Sequence, residues 1–189
     1  MEDFFDSEAY SKIDFTKIKI KKGEYDNCTF SNCNFENVHA SNIQFVECEF
    51  IHCNFSNAVV KDTAFKDVRF INCKMIGVKF NEVNQFLLQI NFIDCQLNFS
   101  SFYQLKLSDT KFKNCNLEET DFTETRLINA VFDNCNLQGA IFDQTDLEKS
   151  DFRTASNFNI NPQQNRLKNA KFSRNTIDGL LLNHKIIIE

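Results

Sequence analysis

The sequence predicts an all-β fold: a four-sided solenoid built from parallel strands. Two periods and one oddity of composition carry that prediction. Large apolar residues recur at every fifth position, beginning Phe15, Ile20, Tyr25, Phe30, Phe35. Cysteines recur at every twentieth, as in Cys33, Cys53, Cys73 and again Cys95, Cys115, Cys135. The 189 residues include 22 Phe and 8 Cys but only 4 Gly, 1 Pro and no Trp. A period of five matches neither the 3.6 of a helix nor the 2 of a strand. It suits a wall that turns once per pentapeptide, and the 20-residue period makes four pentapeptides one coil.

Residues 1–12 precede the regular pattern and are expected to cap the first coil, because a bare strand edge invites aggregation. Residues 13–155 are expected to form about seven coils. In the first run the centres continue through Phe45, Phe50, Phe55, Phe65, Phe70, Met75 and Phe80, with the smaller Ala40 and Val60 between them. Ala40 then lies across the coil from Phe30 and Val60 across from Phe50, pairing large with small as close packing requires. The second run starts at Leu87 and alternates Leu and Phe through Leu147 and Phe152. Centres ten apart lie on opposite sides, so Phe faces Phe and Leu faces Leu. The spacing from Cys73 to Cys95 is 22, which locates a two-residue phase shift within 81–91 and reads as a bulge or small loop. With Gly so scarce, the corners must use ordinary residues in non-Gly turn conformations.

Residues 156–172 read as an interrupted last coil containing Pro162. Beyond it, Ser173 or Asn175 caps a short helix that sets Ile177, Leu180 and Leu181 on one face. The chain closes on a β-like run with Ile186, Ile187 and Ile188. This apolar end reads as a two-fold dimer interface or as a cap folded onto its own last coil.

The small inward slot, two residues before each centre, holds all eight cysteines. Zinc sites favour short Cys-x₂₋₄-Cys clusters, and stacked cysteines one strand spacing apart are too distant for the usual disulfide. The cysteines therefore read as buried small hydrophobes, with no metal and no cofactor. His39, His52 and His184 pair with nothing at ligand spacing. No phosphate loop or nucleophile elbow is present, and a filled rod leaves no ligand pocket, so enzyme activity is not expected. The acidic N-terminus shows no leader and no apolar run is long enough to span a membrane, which gives the expectation of a cytoplasmic protein.

The stretches Ala140-Ile141-Phe142-Asp143-Gln144, Thr145-Asp146-Leu147-Glu148-Lys149 and Ser150-Asp151-Phe152-Arg153-Thr154 resemble the Ala-(Asp/Asn)-Leu-x-x unit of pentapeptide-repeat proteins. That resemblance implies a right-handed quadrilateral parallel β-helix. The tail, with paired Leu180 and Leu181 before a β-branched run, resembles the ends of the Qnr, MfpA and McbG proteins, and the Asn161-Pro162-x-x-Asn165-Arg166 stretch resembles the segment before that tail in MfpA and McbG. Those proteins protect type II topoisomerases, which implies a homodimer that docks on the DNA-binding saddle of gyrase or topoisomerase IV and protects it from fluoroquinolones or peptide toxins. No insertion matches the projecting loops of plasmid Qnr proteins.

The formal charge of −5 is unevenly spread. Residues 115–151 hold nine acids against Arg126 and Lys149, a local −7. On the 20-residue coil, Glu118 and Glu119, then Asp121, Glu124 and Asp143, then Asp146 and Glu148 occupy three successive sides. This predicts a negative band that steers toward a basic protein surface rather than toward nucleic acid. Solvated consensus positions are the plain alternative, and a generic interaction scaffold is the alternative function. A second surface feature is the outward stripe Ile51, Ile71, Ile93, with Phe86, Phe99 and Tyr103 near the bulge. It reads equally as a contact or as a strip covered by the N-terminal segment.

Overall fold

In the computed structural model, which describes residues 3–184 and Ile186, the chain winds into a parallel β-solenoid of about seven turns. Each coil has four sides, named here by their inward centres. Side 1 stacks Phe5, Tyr25, Phe45 and Phe65; side 2 stacks Tyr10, Phe30, Phe50, Phe70, Phe92, Phe112, Phe132 and Phe152. Side 3 runs from Phe15 through Phe55 and Met75 to Leu137, and side 4 from Ile20, Ala40 and Val60 to Phe80, Phe102, Phe122 and Phe142. Parallel pairing in 20-residue register, widened to 22 at one loop, makes each column, as in Phe30↔Phe50, Phe70↔Phe92 and Phe112↔Phe132. On side 2 seven strands from Ala9–Ser11 to Val131–Asp133 form one continuous sheet.

The winding already includes Asp3, which corrects the expectation of a separate cap over residues 1–12. Asp3–Asp6 pairs with Gly23–Asp26, and Ala9–Ser11 pairs with Thr29–Ser31. The reason is slot identity: Phe5 and Tyr10 extend the five-residue period backwards and stack on Tyr25 and Phe30 at 4.5 and 4.7 Å. Gly23 lets the first strand approach, since a Cβ there would sit 2.1 Å from the Asp3 carbonyl oxygen.

The corners are built from ordinary residues, as the scarcity of Gly requires, but in the left-handed conformation that Gly usually supplies. Positive φ recurs one residue before the small slot, at Asn27, Asn32, Asn37, Asn42 and on to Asn129 and Asn134. Asn and Asp dominate these corners because their short polar side chains tolerate that region best.

The small slot has a second duty besides filling space. Its side chain donates to a backbone carbonyl of the coil before it: Cys48 Sγ to Tyr25 O at 3.2 Å, Thr120 Oγ1 to Leu97 O at 3.0 Å, Ser150 Oγ to Leu127 O at 2.7 Å. Cys, Thr and Ser are interchangeable there because each offers a donor on a short stem. All eight cysteines are buried and free, and burial above all pushes the Cys48 thiol up to about 12, so it stays protonated at neutral pH.

The extra two residues lie between Asn84, which still pairs 20 residues back with Ala64, and Ile90, which pairs 22 back with Val68. They push a loop out of side 1. Leu87, expected as a repeat centre, is exposed instead, with φ at 57°, beside exposed Phe86. Leu88 packs against the core in its place, because the inserted pair carries Leu87 past the wall.

At the far end the interrupted coil keeps its register. Arg166 pairs with Asp146 and Lys171 with Asp151, while Asn165 enters the small slot and donates from Nδ2 to Phe142 O. Ser173 Oγ accepts from the Asn175 N–H and starts a 3₁₀ segment, Arg174–Leu180, in place of an α-helix. Gly179 lies so close to Phe158 that a Cβ would meet its carbonyl oxygen at 2.5 Å, and Leu180 packs on the core. This part of the tail thus covers its own last coil. Ile177 and Leu182 project into solvent, as does Ile186. The expected terminal strand, with Ile187 and Ile188, lies outside the described residues.

Candidate functional site

The site follows from what the wall does with outward positions. Each side offers the residue before the centre and the one after it, and each corner offers the left-handed residue; the rest point inward. Asp121 precedes Phe122 on side 4, Asp143 follows Phe142 one coil on, Glu124 takes the corner after side 4, and Glu119 the corner before it. Glu118 follows Leu117 on side 3. The Glu124 N–H donates to Asp143 O and the Phe122 N–H to Ile141 O, so the backbone holds these coils in fixed register.

Their local partners are neutral. Asp121 accepts from Ser101 Oγ and from the Thr123 N–H, Glu118 accepts from Asn98 Nδ2, and Glu124 accepts from Gln104 Nε2 at 2.8 Å. Glu119 lies over Gly139, where a Cβ would meet its Oε1 at 2.5 Å. Among the described residues none of these five carboxylates has an ion pair.

The acids stand on three successive sides, as expected, but their charge is not left free on all three. Asp146 and Glu148 stand on side 1, and Arg166 of the next coil pairs with both, at 3.4 and 2.5 Å. Arg126, one coil before Asp146 in the same column, brings these four charges to neutrality. Uncompensated negative charge thus concentrates on side 4 and its two corners, with Glu118 beside them on side 3. Sequence reasoning missed Arg166 because the pentapeptide pattern is broken around it, although its distance of 20 from Asp146 carried the signal.

The Ile51, Ile71, Ile93 stripe is half-buried by its own stacking, each residue directly paired with the next. The N-terminal segment forms the first coil and does not cover it. Phe99 projects from a corner on the edge of side 4, and Tyr103 reaches the Glu124 carboxylate.

No helix among the described residues is long and apolar enough to cross a membrane. The fold is that of a non-globular repeat protein whose coils differ only in their side chains. Comparison makes the class specific: the model of the pentapeptide repeat region matches residues 18–102, 63–125 and 105–182, and the chain belongs to the pentapeptide repeat family. A trypsin-treated variant of QnrB1, a plasmid-mediated fluoroquinolone resistance protein, aligns over 99% of this chain and 92% of its own with TM-score 0.56 and 15% identity. HetL, a pentapeptide repeat protein involved in heterocyst differentiation regulation in Nostoc sp. strain PCC 7120, aligns over 89% and 86% with TM-score 0.38 and 10% identity. At these identities the first likeness is one of fold. No curated protein matches the sequence.

Proposed function

We propose that this protein is a non-catalytic binding protein whose side 4 engages a basic surface of the kind that normally holds duplex DNA, and that the partner is a type II topoisomerase, DNA gyrase or topoisomerase IV, which it protects from inhibitors. One observation carries the reading. Five carboxylates without an ion pair, four on side 4 and its corners and Glu118 beside them on side 3, fall within two coils, about 10 Å of rod at ~4.8 Å per coil. That is roughly one charge per 2 Å, close to the ~1.7 Å of duplex DNA. A rigid rod presents these charges without ordering cost on binding, and a negative field steers it to a cationic groove. Side chains fill the interior, so the reading requires surface contact and no chemistry. The exposed Ile177, Leu182 and Ile186 support pairing of two rods through their C-terminal ends, which would double the length of the mimic.

The test is gyrase supercoiling with and without a fluoroquinolone. The protein is expected either to inhibit supercoiling or to rescue it from the drug, and a triple reversal Asp121→Lys, Glu124→Lys, Asp143→Lys is expected to abolish the effect with the circular dichroism spectrum unchanged. Absence of both inhibition and rescue leaves the generic scaffold.

A further inference from the structure

Side 4 has a second end. Its C-terminal part carries the carboxylates; its N-terminal part carries lysines. Within 17–22 the chain reads Lys-Ile-Lys-Ile-Lys-Lys, and Lys19, Lys21 and Lys22 are exposed. Lys17 is held by Asp14 at 2.8 Å and Lys21 lies over the Phe5 ring, which leaves Lys19 and Lys22 facing outward. Next to them, along the edge between sides 3 and 4, opens a groove of about 700 Å³ whose lining includes Phe15, Lys19, Val38 and His39.

The matching knob stands three coils further along the same edge. Phe99 is 61% exposed and holds φ at 60°. A bulky side chain in the left-handed region is a backbone outlier. The equivalent corners one and two coils away are Gly77, Asn57, Glu119 and Gly139, residues that are polar or suited to that conformation. Phe99 thus breaks both the corner rule and the burial rule, the pattern expected of a residue kept for contact.

We propose that side 4 pairs with side 4 of a second copy, the two rods running antiparallel about a two-fold axis that crosses the rod midway between the basic and acidic ends. A two-fold interface demands that each patch meet its complement on the same surface. Counting coils of about 20 residues from Asp3, the first coil then faces the sixth, the second faces the fifth, and the third faces the fourth. Lys19 and Lys22 meet Asp121 and Glu124 twice over, and Phe99 enters the groove at Val38 and His39. In the middle, Lys61 with Asp62 meets Lys79 with Glu82, each a neutral mixture. In this pair the acidic face is covered, so self-association and capture of a basic partner exclude one another. The inference does not depend on that partner being a topoisomerase.

Charge-swapped mixing of the full chain tests it in sedimentation velocity. Lys19→Glu with Lys22→Glu places acids at both ends of the contact; Asp121→Lys with Glu124→Lys places lysines at both ends. Each variant alone is expected to lose association through this side, and an equimolar mixture is expected to regain it. Wild-type association through side 4 is expected to weaken at least about tenfold between low salt and 0.5 M salt, as exposed ion pairs are screened, whereas an apolar C-terminal contact survives. Phe99→Ser is expected to weaken the mixture without changing its salt dependence. If the mixture sediments as the average of its two components, or if wild-type mass does not respond to salt, the pairing is wrong.

Discussion

The two halves of the rod solve one packing problem in two ways. Before the loop, sides 1, 2 and 3 are aromatic and side 4 is small: Phe45, Phe50 and Phe55 share a coil with Val60. After it, sides 2 and 4 are aromatic and sides 1 and 3 are Leu, as in Phe112 and Phe122 with Leu107 and Leu117. In both halves rings in one column stack nearly parallel and rings on adjoining or facing sides meet edge to face, the favoured aromatic geometry. The exchange happens where Phe55 gives way to Met75, Val60 to Phe80, and Phe65 to the loop with Leu88. The loop is thus placed at the seam between two core designs. The lesson is that the backbone fixes total cross-section and leaves its division among the four sides open.

Truncation exposes the difference most. The Phe50 ring pairs with the rings of Phe30, Phe35, Phe45, Phe55 and Phe70, and the Phe132 ring with those of Phe112, Phe122, Phe142 and Phe152. Both changes to Ala are expected to cost about 3–5 kcal/mol in chemical denaturation, with Phe50→Ala the larger. Equal losses would mean that the extra aromatic column adds nothing.

A milder change interconverts the designs. Val60→Phe alone overpacks the third coil and is expected to cost about 1–3 kcal/mol. Combined with Phe45→Leu and Phe55→Leu it rebuilds the second-half pattern at nearly constant volume, and stability is expected to return to within about 1.5 kcal/mol of the wild type. Failure of the triple variant to recover would show that the halves are not alternative fillings of one frame.

The seam itself gives the smallest effect. Leu87 is exposed in the left-handed region, so Leu87→Asn is expected to stabilise by about 1 kcal/mol, the strain of a non-Gly residue there, measured as a higher denaturation midpoint. No gain would indicate that the loop relaxes that strain in solution.

Much of this was legible in the sequence because the repeat is literal. The periods of five and twenty place Phe30, Cys53 and Leu117 without any knowledge of coordinates. Three things were hidden. Corner conformation is not encoded by Gly here, since Asn, Asp and even Phe99 adopt it under the constraint of stacking. The start of the rod was obscured because Phe5 and Tyr10 are flanked by irregular acidic residues and lack the cysteine marker. Pairing of Asp146 and Glu148 with Arg166 required register to be carried across Pro162, where the motif itself vanishes. Local pattern therefore located the columns, while the charge balance of the site depended on neighbours one coil away.

The rigid 20-residue register also makes the molecule a ruler. Adding one whole coil would separate the basic and acidic ends by a further strand spacing, about 4.8 Å, and leave both on the same wall. Adding a single pentapeptide would instead turn everything beyond it by a quarter of the circumference. The distance between two surface features can thus be adjusted in discrete steps, with their facing preserved or deliberately lost, and the core never has to be redesigned.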